Sequence, residues 1–427
     1  MRTAVAVAVA LTLCSPLANA KLATMASLAR QDPAAPPRIG PFVLSRRGDA
    51  DDFDTSPEGV RGFCNNWGFE PASRPARVIE VMSFLRETHL LATKLRELHD
   101  IVDTFVVVEG TTTFSGEPVR PWLREGLLAE LGPWLGSKVI ALTQDELPSC
   151  ADIAPRLANI TRVKLPPVSE GLGAWRCGWA QETERRRIGL AHVLDRLDLG
   201  DDDVVVLSDV DEVMSRTSAR VLKYCSASRA GTRPDVMVPL ISLHYYGLAF
   251  HDPGMWAVVK TVRGWRLKEV GAAQASLARF ELRAAFGEWP KAAAMVVASG
   301  GWHMSFFQSE KAMRRKLVLQ PHHELRHPRL LDPERIRACQ ESGGDVYGRP
   351  DNNFMPAEDA ADANPYVSRD DYLREYGPQA QPRLFREYPS VFHSRRLWTA
   401  GARRVPRGAE AAALRARCLI PERGLDS

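Results

Sequence analysis

The chain of 427 residues lacks several features that would assign it to a special class of protein. Beyond the first twenty residues, no apolar stretch is long enough to cross a membrane as a helix. The net charge is only +4, which argues against a protein dedicated to nucleic-acid binding. There is no internal repeat and no Cys-x-x-Cys pair, so neither a repeat architecture nor a clustered zinc site is indicated. Length alone favours one large domain with additions, or two domains.

Residues 1–20 have the composition of a secretory signal peptide. Arg2 precedes an apolar run from Ala4 to Leu13, and the segment ends in Ala-Asn-Ala at Ala20. A positive start, an apolar run and small residues before the cleavage point are the three parts of such a signal. We expect cleavage near Ala20, with retention as a short membrane anchor as the alternative.

The cysteines agree with an oxidising compartment. Loss of Cys14 with the signal would leave an even set of six: Cys64, Cys150, Cys177, Cys225, Cys339 and Cys418. We expect them to be paired, although six cysteines allow about fifteen pairings and the sequence does not choose among them. Asn159 begins an Asn-Ile-Thr acceptor for N-glycosylation, which predicts a surface loop there.

Composition divides the rest of the chain into three regions. Residues 21–76 are rich in proline, alanine and arginine with little periodicity, and are predicted to be a stem or linker. In residues 77–375, strand-like and helix-like segments alternate, which predicts an α/β fold with a largely parallel sheet. Residues 376–427 form an arginine-rich tail, which we expect to be a solvated surface, with a binding site for a partner as the alternative.

The most informative segment is an apolar strand that ends in acid. Val204 to Leu207 are four strand-favouring apolar residues, and Asp209 and Asp211 follow them. Residues two apart in extended backbone project from the same face, so both carboxylates can converge on one hard cation. Open α/β sheets bind their ligands at the carboxyl ends of strands. The pattern predicts a metal-assisted site for a diphosphate, and a capped surface turn is the alternative.

Five segments in chain order share their pattern with a known family. They are Leu98 to Glu109 with Thr113 to Pro118; Trp179, Glu182 and Arg186; Ser208 to Glu212; Tyr245-Tyr246-Gly247; and Gly301 to Phe306. Together they resemble glycosyltransferase family 17, the β-1,4-mannosyl-glycoprotein β-1,4-N-acetylglucosaminyltransferase family. The similarity covers about residues 77–375, which the resemblance makes the catalytic domain.

The resemblance implies a GT-A-like nucleotide-sugar-binding fold with a mostly parallel central sheet. It implies an inverting transfer of N-acetylglucosamine from UDP-GlcNAc to a mannose of an N-glycan in β-1,4 linkage, with Mn²⁺ or Mg²⁺ as cofactor. The implied partners are the UDP-sugar and an N-glycan on a glycoprotein, with no nucleic acid, and a membrane only if residues 1–20 are retained. The implied location is the Golgi lumen, with secretion as the alternative. Two rival functions stay open: transfer with another donor or acceptor, and non-catalytic glycan binding by a secreted protein.

The resemblance also assigns roles to the metal-site residues. It implies that Asp209 and Asp211 are the catalytic metal ligands. His303 is a candidate third ligand, because a neutral imidazole suits Mn²⁺, and a buried hydrogen-bonded histidine is the alternative. Trp302 is a candidate for stacking on a sugar, although an aromatic residue beside glycines is as well explained by the core.

Six residues are candidates for binding the donor, each with a structural alternative as a turn, a helix face or a surface carboxylate. They are Glu109, Thr113, Ser115, Gly116, Arg186 and Ser208. Arg186 is a candidate because a guanidinium matches phosphate oxygens. The acceptor hydroxyl also needs a base. The sequence leaves that base unassigned among four carboxylates: Glu212, Asp252, Glu269 and Glu310.

Overall fold

The computed structural model describes residues 53–114, 116–146, 148, 152, 173–226, 236–279, 294–297, 300–322, 328–349, 354–363, 369–370, 382 and 408–418. The predicted signal peptide, Ser115, Cys150 and Asn159 lie outside these residues, as does the side chain of Cys177.

Strands and helices alternate along the chain. The strands are β1 Glu70–Pro71, β2 Val78–Ser83, β3 Thr104–Gly110, β4 Val139–Gln144, β5 Val204–Asp209, β6 Glu212–Met214, β7 Cys225–Ser226, β8 Val236–Pro239, β9 Ile241–Tyr245, β10 Phe250–Trp256, β11 Lys260–Arg263, β12 Ala294–Val297, β13 Gly301–Ser305 and β14 Met355–Pro356. The α-helices are α1 Pro57–Asn66, α2 Thr88–Leu98, α3 Leu128–Leu131, α4 Gly173–Arg196, α5 Arg216–Tyr224, α6 Gly264–Ala275, α7 Glu310–Leu319, α8 Pro333–Ser342, α9 Ala357–Ala363 and α10 Gly408–Cys418. A π-helical turn spans Leu123–Leu127, and 3₁₀ turns span Pro133–Ser137, Ser276–Arg279 and Pro328–Leu331.

A seven-stranded sheet forms the centre of the described fold, in the order β12-β8-β11-β5-β2-β3-β4. Strands β5, β2, β3 and β4 are parallel neighbours. Strand β11 runs antiparallel to both β5 and β8. The α/β prediction is therefore confirmed as a mixed sheet, in which an antiparallel strand stands beside the parallel block.

Alternating side chains of the buried strands fill a core on each face of this sheet. Val204 and Val206 of β5 belong to the core that includes Leu90, Leu91 and Leu95 of α2. Val205 and Leu207 belong to the opposite core, which includes Leu190 and Val193 of α4. Because both faces are covered, the strand is apolar at every position until Ser208, as expected for a buried parallel strand.

A second sheet, of five strands, has the order β14-β10-β9-β13-β6. Strand β5 belongs to the first sheet and β6 to the second, and only Val210 and Asp211 separate them. The Asp209 to Asp211 turn therefore lies where the chain passes from one sheet to the other.

Helical structure is present within residues 21–76, the region predicted to be a stem or linker. Helix α1 starts after Ser56, whose side chain accepts a hydrogen bond from the backbone N–H of Gly59 at 3.1 Å. A disulfide joins Cys64 of α1 to Cys225 at the end of α5. The low periodicity of residues 21–76 did not predict this short helix, which is held by the crosslink and by an apolar cluster that includes Val60, Phe63 and Val221.

Part of the arginine-rich tail is also folded. Helix α10 contacts α8, and a disulfide joins Cys339 of α8 to Cys418. Four of the six cysteines that were expected to be paired thus form two disulfides. Among the described residues, no helix combines the length and apolar character needed to cross a membrane.

Candidate active site

The turn between the two sheets is held by its own backbone. The N–H of Asp209 donates to the carboxylate of Glu212 at 2.9 Å, and the N–H of Met304 donates to the carbonyl of Asp211 at 2.7 Å. Glu212 is fully buried. These contacts fix the backbone position of Asp209 and Asp211. Glu212 therefore has a structural role in the turn.

A buried polar network lies directly behind the turn. The ammonium of Lys94 donates to Glu80 at 2.8 Å, to the hydroxyl of Ser208 at 2.7 Å and to the carbonyl of Asp209 at 2.7 Å. Lys94, Glu80 and Ser208 are all inaccessible to solvent. The hydroxyl of Ser208, a predicted donor contact, therefore supports the end of β5 from inside the protein.

Arg186 reaches Asp209 from helix α4. Its Nη2 lies 2.9 Å from Asp209 Oδ1 and is also bound to the carboxylate of Glu182. Arg186 is only 1% exposed, so it is not part of a solvated helix face. It contacts the predicted metal ligand rather than lining the open space beside it.

Asp211, His303, Lys316 and Glu87 form a second charged group. His303 Nε2 lies 3.7 Å from Asp211 Oδ1, and the ammonium of Lys316 lies 3.1 Å from Asp211 Oδ2. The same ammonium is bound to the carboxylate of Glu87, which begins helix α2. These contacts bring together residues from the turn, β13, α7 and the start of α2.

Glycine makes the approach of β13 to the turn possible. Gly301 has φ of 130°, and a Cβ there would lie 2.1 Å from the carbonyl oxygen of Val213. His303 pairs in register with Glu212. Strand β13 therefore places the imidazole of His303 beside Asp211.

Burial and neighbouring charge shift the pKa values of this group in different directions. Burial raises the pKa of Glu87 to about 7, although Lys316 opposes this effect. Burial also disfavours ionised Asp211, but the charges of Lys316 and His303 prevail and hold its pKa below the usual range. Burial would lower the pKa of Lys316, and its two carboxylate partners outweigh this and raise it.

Asp209 and Glu182, which are both bound to Arg186, line the same cleft as the group around Asp211. The cleft has a volume of about 390 Å³. Its acidic lining consists of Glu87, Glu182, Asp209 and Asp211, and its basic lining of Lys316 and Arg349 together with the imidazoles of His303 and His322. Aromatic side chains complete the wall: Phe114, Trp179, Tyr245, Trp256, Phe306 and Tyr347. A cleft with both signs of charge and several rings suits a ligand that carries phosphate and sugar.

The predicted metal ligands fit a divalent cation in their chemistry. A carboxylate oxygen and an imidazole nitrogen 3.7 Å apart, as in Asp211 and His303, can both lie at the ligand distance of about 2.1 Å from one ion. Asp209 lines the same cleft. Within the described residues, no three His, Cys, Asp or Glu side chains are already grouped as a metal site. Asp209 is instead bound to Arg186, and Asp211 to Lys316.

Three other predicted donor contacts, Glu109, Thr113 and Gly116, are not part of the cleft lining. Glu109 accepts from the backbone N–H of Leu123 at 3.0 Å and of Arg124 at 2.8 Å, so it caps the π-helical turn. Burial raises the pKa of Glu109 despite these hydrogen bonds. The hydroxyl of Thr113 accepts from the N–H of Glu117 at 3.2 Å inside a turn that includes Gly116. These contacts favour structural roles.

The four candidates for the base are all outside the cleft lining. Glu212 is buried behind the turn, and Asp252 accepts from the N–H of Gly254 at 2.7 Å. Glu269 is bound to Arg266. Glu310 lies 3.7 Å from Arg314. Each has a local partner that explains its position.

The structure adds three cleft residues that sequence reasoning did not select. Glu87 and Lys316 complete the charged group around Asp211. Trp256 is 38% exposed at the cleft, whereas the predicted sugar-stacking residue Trp302 is 7% exposed and belongs to the main core. Lys316 lies in helix α7, and nothing in its local sequence marks it as part of a site.

Comparison with known proteins finds relatives of part of the chain. At 28% identity over 190 residues, the chain matches proteins from Rattus norvegicus and Homo sapiens, each named beta-1,4-mannosyl-glycoprotein 4-beta-N-acetylglucosaminyltransferase. The match covers 44% of this chain and only 30% of each relative's length.

A solved structure described as "Crystal Structure of a Mycobacterial Protein" overlaps 61% of this chain and 77% of its own, with 13% identity and a TM-score of 0.25, which is too low to establish a shared fold. The sequence profile of glycosyltransferase family 17 matches residues 52–125 and 173–358, which is more than half of the chain. The matched ranges include Asp209, Asp211 and His303, and the chain therefore belongs to glycosyltransferase family 17.

Proposed function

We propose that this glycosyltransferase moves N-acetylglucosamine from UDP-GlcNAc to a mannose of an N-glycan, in β-1,4 linkage and with inversion. The observation that carries the proposal is the placement of Asp209, Asp211 and His303 in one cleft within the family-matched region. The named activity of the rat and human relatives supports the choice of donor and acceptor. The parallel block of strands that ends at this cleft supports a GT-A-like arrangement.

The proposed cofactor is Mn²⁺ or Mg²⁺, held by Asp209, Asp211 and His303. When bound, such an ion stabilises the negative charge that develops on the leaving diphosphate. The protein must hold these ligands in place, and the structure supplies the means. Arg186 fixes the carboxylate of Asp209, while the N–H of Met304 fixes the backbone of Asp211.

Lys316 is suited to act on the donor as well. Its ammonium is held between two carboxylates at the cleft, and its side chain is 20% exposed. A cation bound to Asp211 would weaken the electrostatic attraction between this carboxylate and the Lys316 ammonium. The ammonium could then contact a phosphate oxygen of the donor. This gives the leaving group a second positive charge from the protein itself.

We place the reaction in the secretory pathway, in the Golgi lumen. The signal-like sequence of residues 1–20 and the disulfides Cys64–Cys225 and Cys339–Cys418 support this location, because such bonds persist in oxidising compartments. The glycan acceptor would be carried on a glycoprotein.

Release of UDP from UDP-GlcNAc, with and without Mn²⁺ and an N-glycan acceptor, tests the proposal. We expect acceptor-stimulated UDP release that stops when a chelator removes the metal, and a product with a β-1,4-linked sugar. UDP-glucose, UDP-galactose and UDP-GalNAc serve as matched donors that should react poorly. A preference for one of these, or full activity after exhaustive chelation, would refute the donor or the metal assignment respectively.

A further inference from the structure

Trp256 has an exposed aromatic side chain at the cleft. It ends strand β10, where it pairs in register with Ile241 of β9. Among the described residues, it is the large hydrophobic side chain that is left exposed, at 38%. Because Trp256 also lines the cleft, a ligand in the cleft can cover its indole, and burying an indole is favourable.

The position of Trp256 links it to the reacting groups. Its ring centroid lies 5.7 Å from that of His303, with the rings at 70°. His303 in turn lies beside Asp211. A ligand resting on the indole would therefore be close to the proposed metal ligands, within the same cleft.

The surroundings of Trp256 fit a sugar better than a purely apolar ligand. His303, Ser305, Asp211 and Lys316 line the same cleft and offer hydrogen-bond donors and acceptors. A pyranose has an apolar C–H face that stacks on an aromatic ring and hydroxyls that bind polar groups around it. A hydrocarbon ligand would form no hydrogen bond with any of these polar groups.

We propose that Trp256 is the stacking platform for the acceptor sugar, which makes it a specificity-determining residue of this transferase. This inference rests on the proposed function. The acceptor is favoured over the donor sugar because Trp256 is open to solvent, whereas Asp211 and His303 are 8% and 9% exposed and lie deeper. A glycan on a protein enters from solvent, while the donor diphosphate must reach the buried carboxylate.

Two other tryptophans in the described part of the chain lie near the site but do not offer the same surface. Trp302 is packed in the main core. Trp179 also lines the cleft, but its ring meets that of His322 edge-on at 4.7 Å, on the side of Glu182 and Arg186. Trp256 is thus the indole placed beside His303.

The test compares Trp256→Ala and Trp256→Phe with Trp265→Ala, a control in helix α6 that does not line the cleft. Binding of a mannose-terminated N-glycan oligosaccharide is measured by calorimetry and saturation-transfer NMR without donor. The Michaelis constants for UDP-GlcNAc and the acceptor are measured separately. Thermal melting confirms that each variant is folded.

We expect Trp256→Ala to weaken glycan binding and raise the acceptor KM by about tenfold or more, while the KM for UDP-GlcNAc stays within about twofold. Trp256→Phe should recover most of the loss, because it keeps an aromatic face, and Trp265→Ala should behave as the wild type. An unchanged acceptor constant in folded Trp256→Ala, or a change confined to the donor constant, would overturn the inference. The donor-free binding assay keeps this outcome separate from a failure of the proposed reaction, since glycan binding is measurable without any transfer.

Discussion

Arg186 Nη2 lies 2.9 Å from Asp209 Oδ1, and this buried ion pair orients the first aspartate of the proposed metal site. The same guanidinium is bound to Glu182 one helical turn earlier, so it joins helix α4 to the end of β5. One nitrogen, Nη2, at the end of the guanidinium thus contacts both carboxylates, and its position depends on the full length of the arginine side chain.

The first prediction concerns that guanidinium. Arg186→Lys keeps the positive charge, but a lysine side chain is one bond shorter than that of arginine, so its ammonium does not reach both carboxylates and Asp209 is no longer held in a single orientation. We expect the Mn²⁺ concentration for half-maximal activity to rise by about tenfold, and stability to fall by about 1–3 kcal/mol. Manganese titration of activity and denaturant unfolding measure the two effects. Arg187→Lys is the matched control, since Arg187 is bound to Glu184 on the same helix and does not reach Asp209. Equal manganese dependence in both variants would place Arg186 outside the metal site.

The second prediction concerns the aspartates themselves. Asp209→Asn and Asp211→Asn should each lower turnover by about a hundredfold or more, because a cation at developing phosphate charge contributes several kcal/mol. His303→Ala should lower it less, since a weaker ligand is lost.

Stability gives the same pair of variants a second readout. If the carboxylates of Asp209 and Asp211 repelled one another in the metal-free protein, replacing either aspartate would stabilise the fold. The structure favours the opposite result, because Asp209 is paired with Arg186 and Asp211 with Lys316. We therefore expect both variants to melt at lower temperature than the wild type without metal, by an amount equivalent to about 1–3 kcal/mol. Near-normal turnover in either variant would refute the metal assignment.

The third prediction concerns competition for Asp211. The ammonium of Lys316 lies 3.1 Å from Asp211 Oδ2, so a metal ion and Lys316 compete for the charge of one carboxylate. Lys316→Met should bind Mn²⁺ more tightly than the wild type, by about threefold to tenfold without donor, while its metal-free form is less stable. Calorimetric titration with Mn²⁺ checks this, and Lys316→Arg, which keeps the charge, is the control. Identical manganese affinities for the methionine variant and the wild type would show that Lys316 does not oppose the ion.

Sequence pattern located the acidic turn because its signal is local. A buried strand that ends in Asp209 and Asp211 is visible within eight residues, and the strand lies where it was predicted. The contacts of Lys316 with Glu87 and with the turn could not be predicted from a local pattern. They depend on helix α7 and the start of α2 meeting one turn, although the two residues are 229 positions apart.

Glu109 shows a second limit of local pattern. It lies at the end of a parallel strand, which fits a donor contact, and its carboxylate accepts hydrogen bonds from the turn that begins at Leu123. A glutamate at a strand end is consistent with either role, and local sequence does not distinguish them. Composition likewise hid helix α1, because Cys64 gains its partner Cys225 from 161 residues away.

The last prediction concerns pH and Glu87. Burial raises the pKa of Glu87 in the folded protein to about 7 from an ordinary value of 4.5. A carboxyl whose folded pKa is raised contributes stability that is fully present below pH 4.5 and is lost as the pH rises through about 7. Glu87→Gln removes this titration because an amide stays neutral. Relative to that variant, the metal-free wild type should therefore lose up to about 3 kcal/mol of unfolding free energy between pH 4.5 and pH 8.

Denaturant unfolding of both proteins at several pH values in this window measures the effect. Glu130→Gln is the matched control, because Glu130 is exposed on helix α3 and should follow the wild type throughout. A constant difference between wild type and Glu87→Gln across the window would contradict the raised pKa. It would mean that the Lys316 ion pair keeps Glu87 ionised at all these pH values, so that the carboxylate acts as a fixed charge at the cleft.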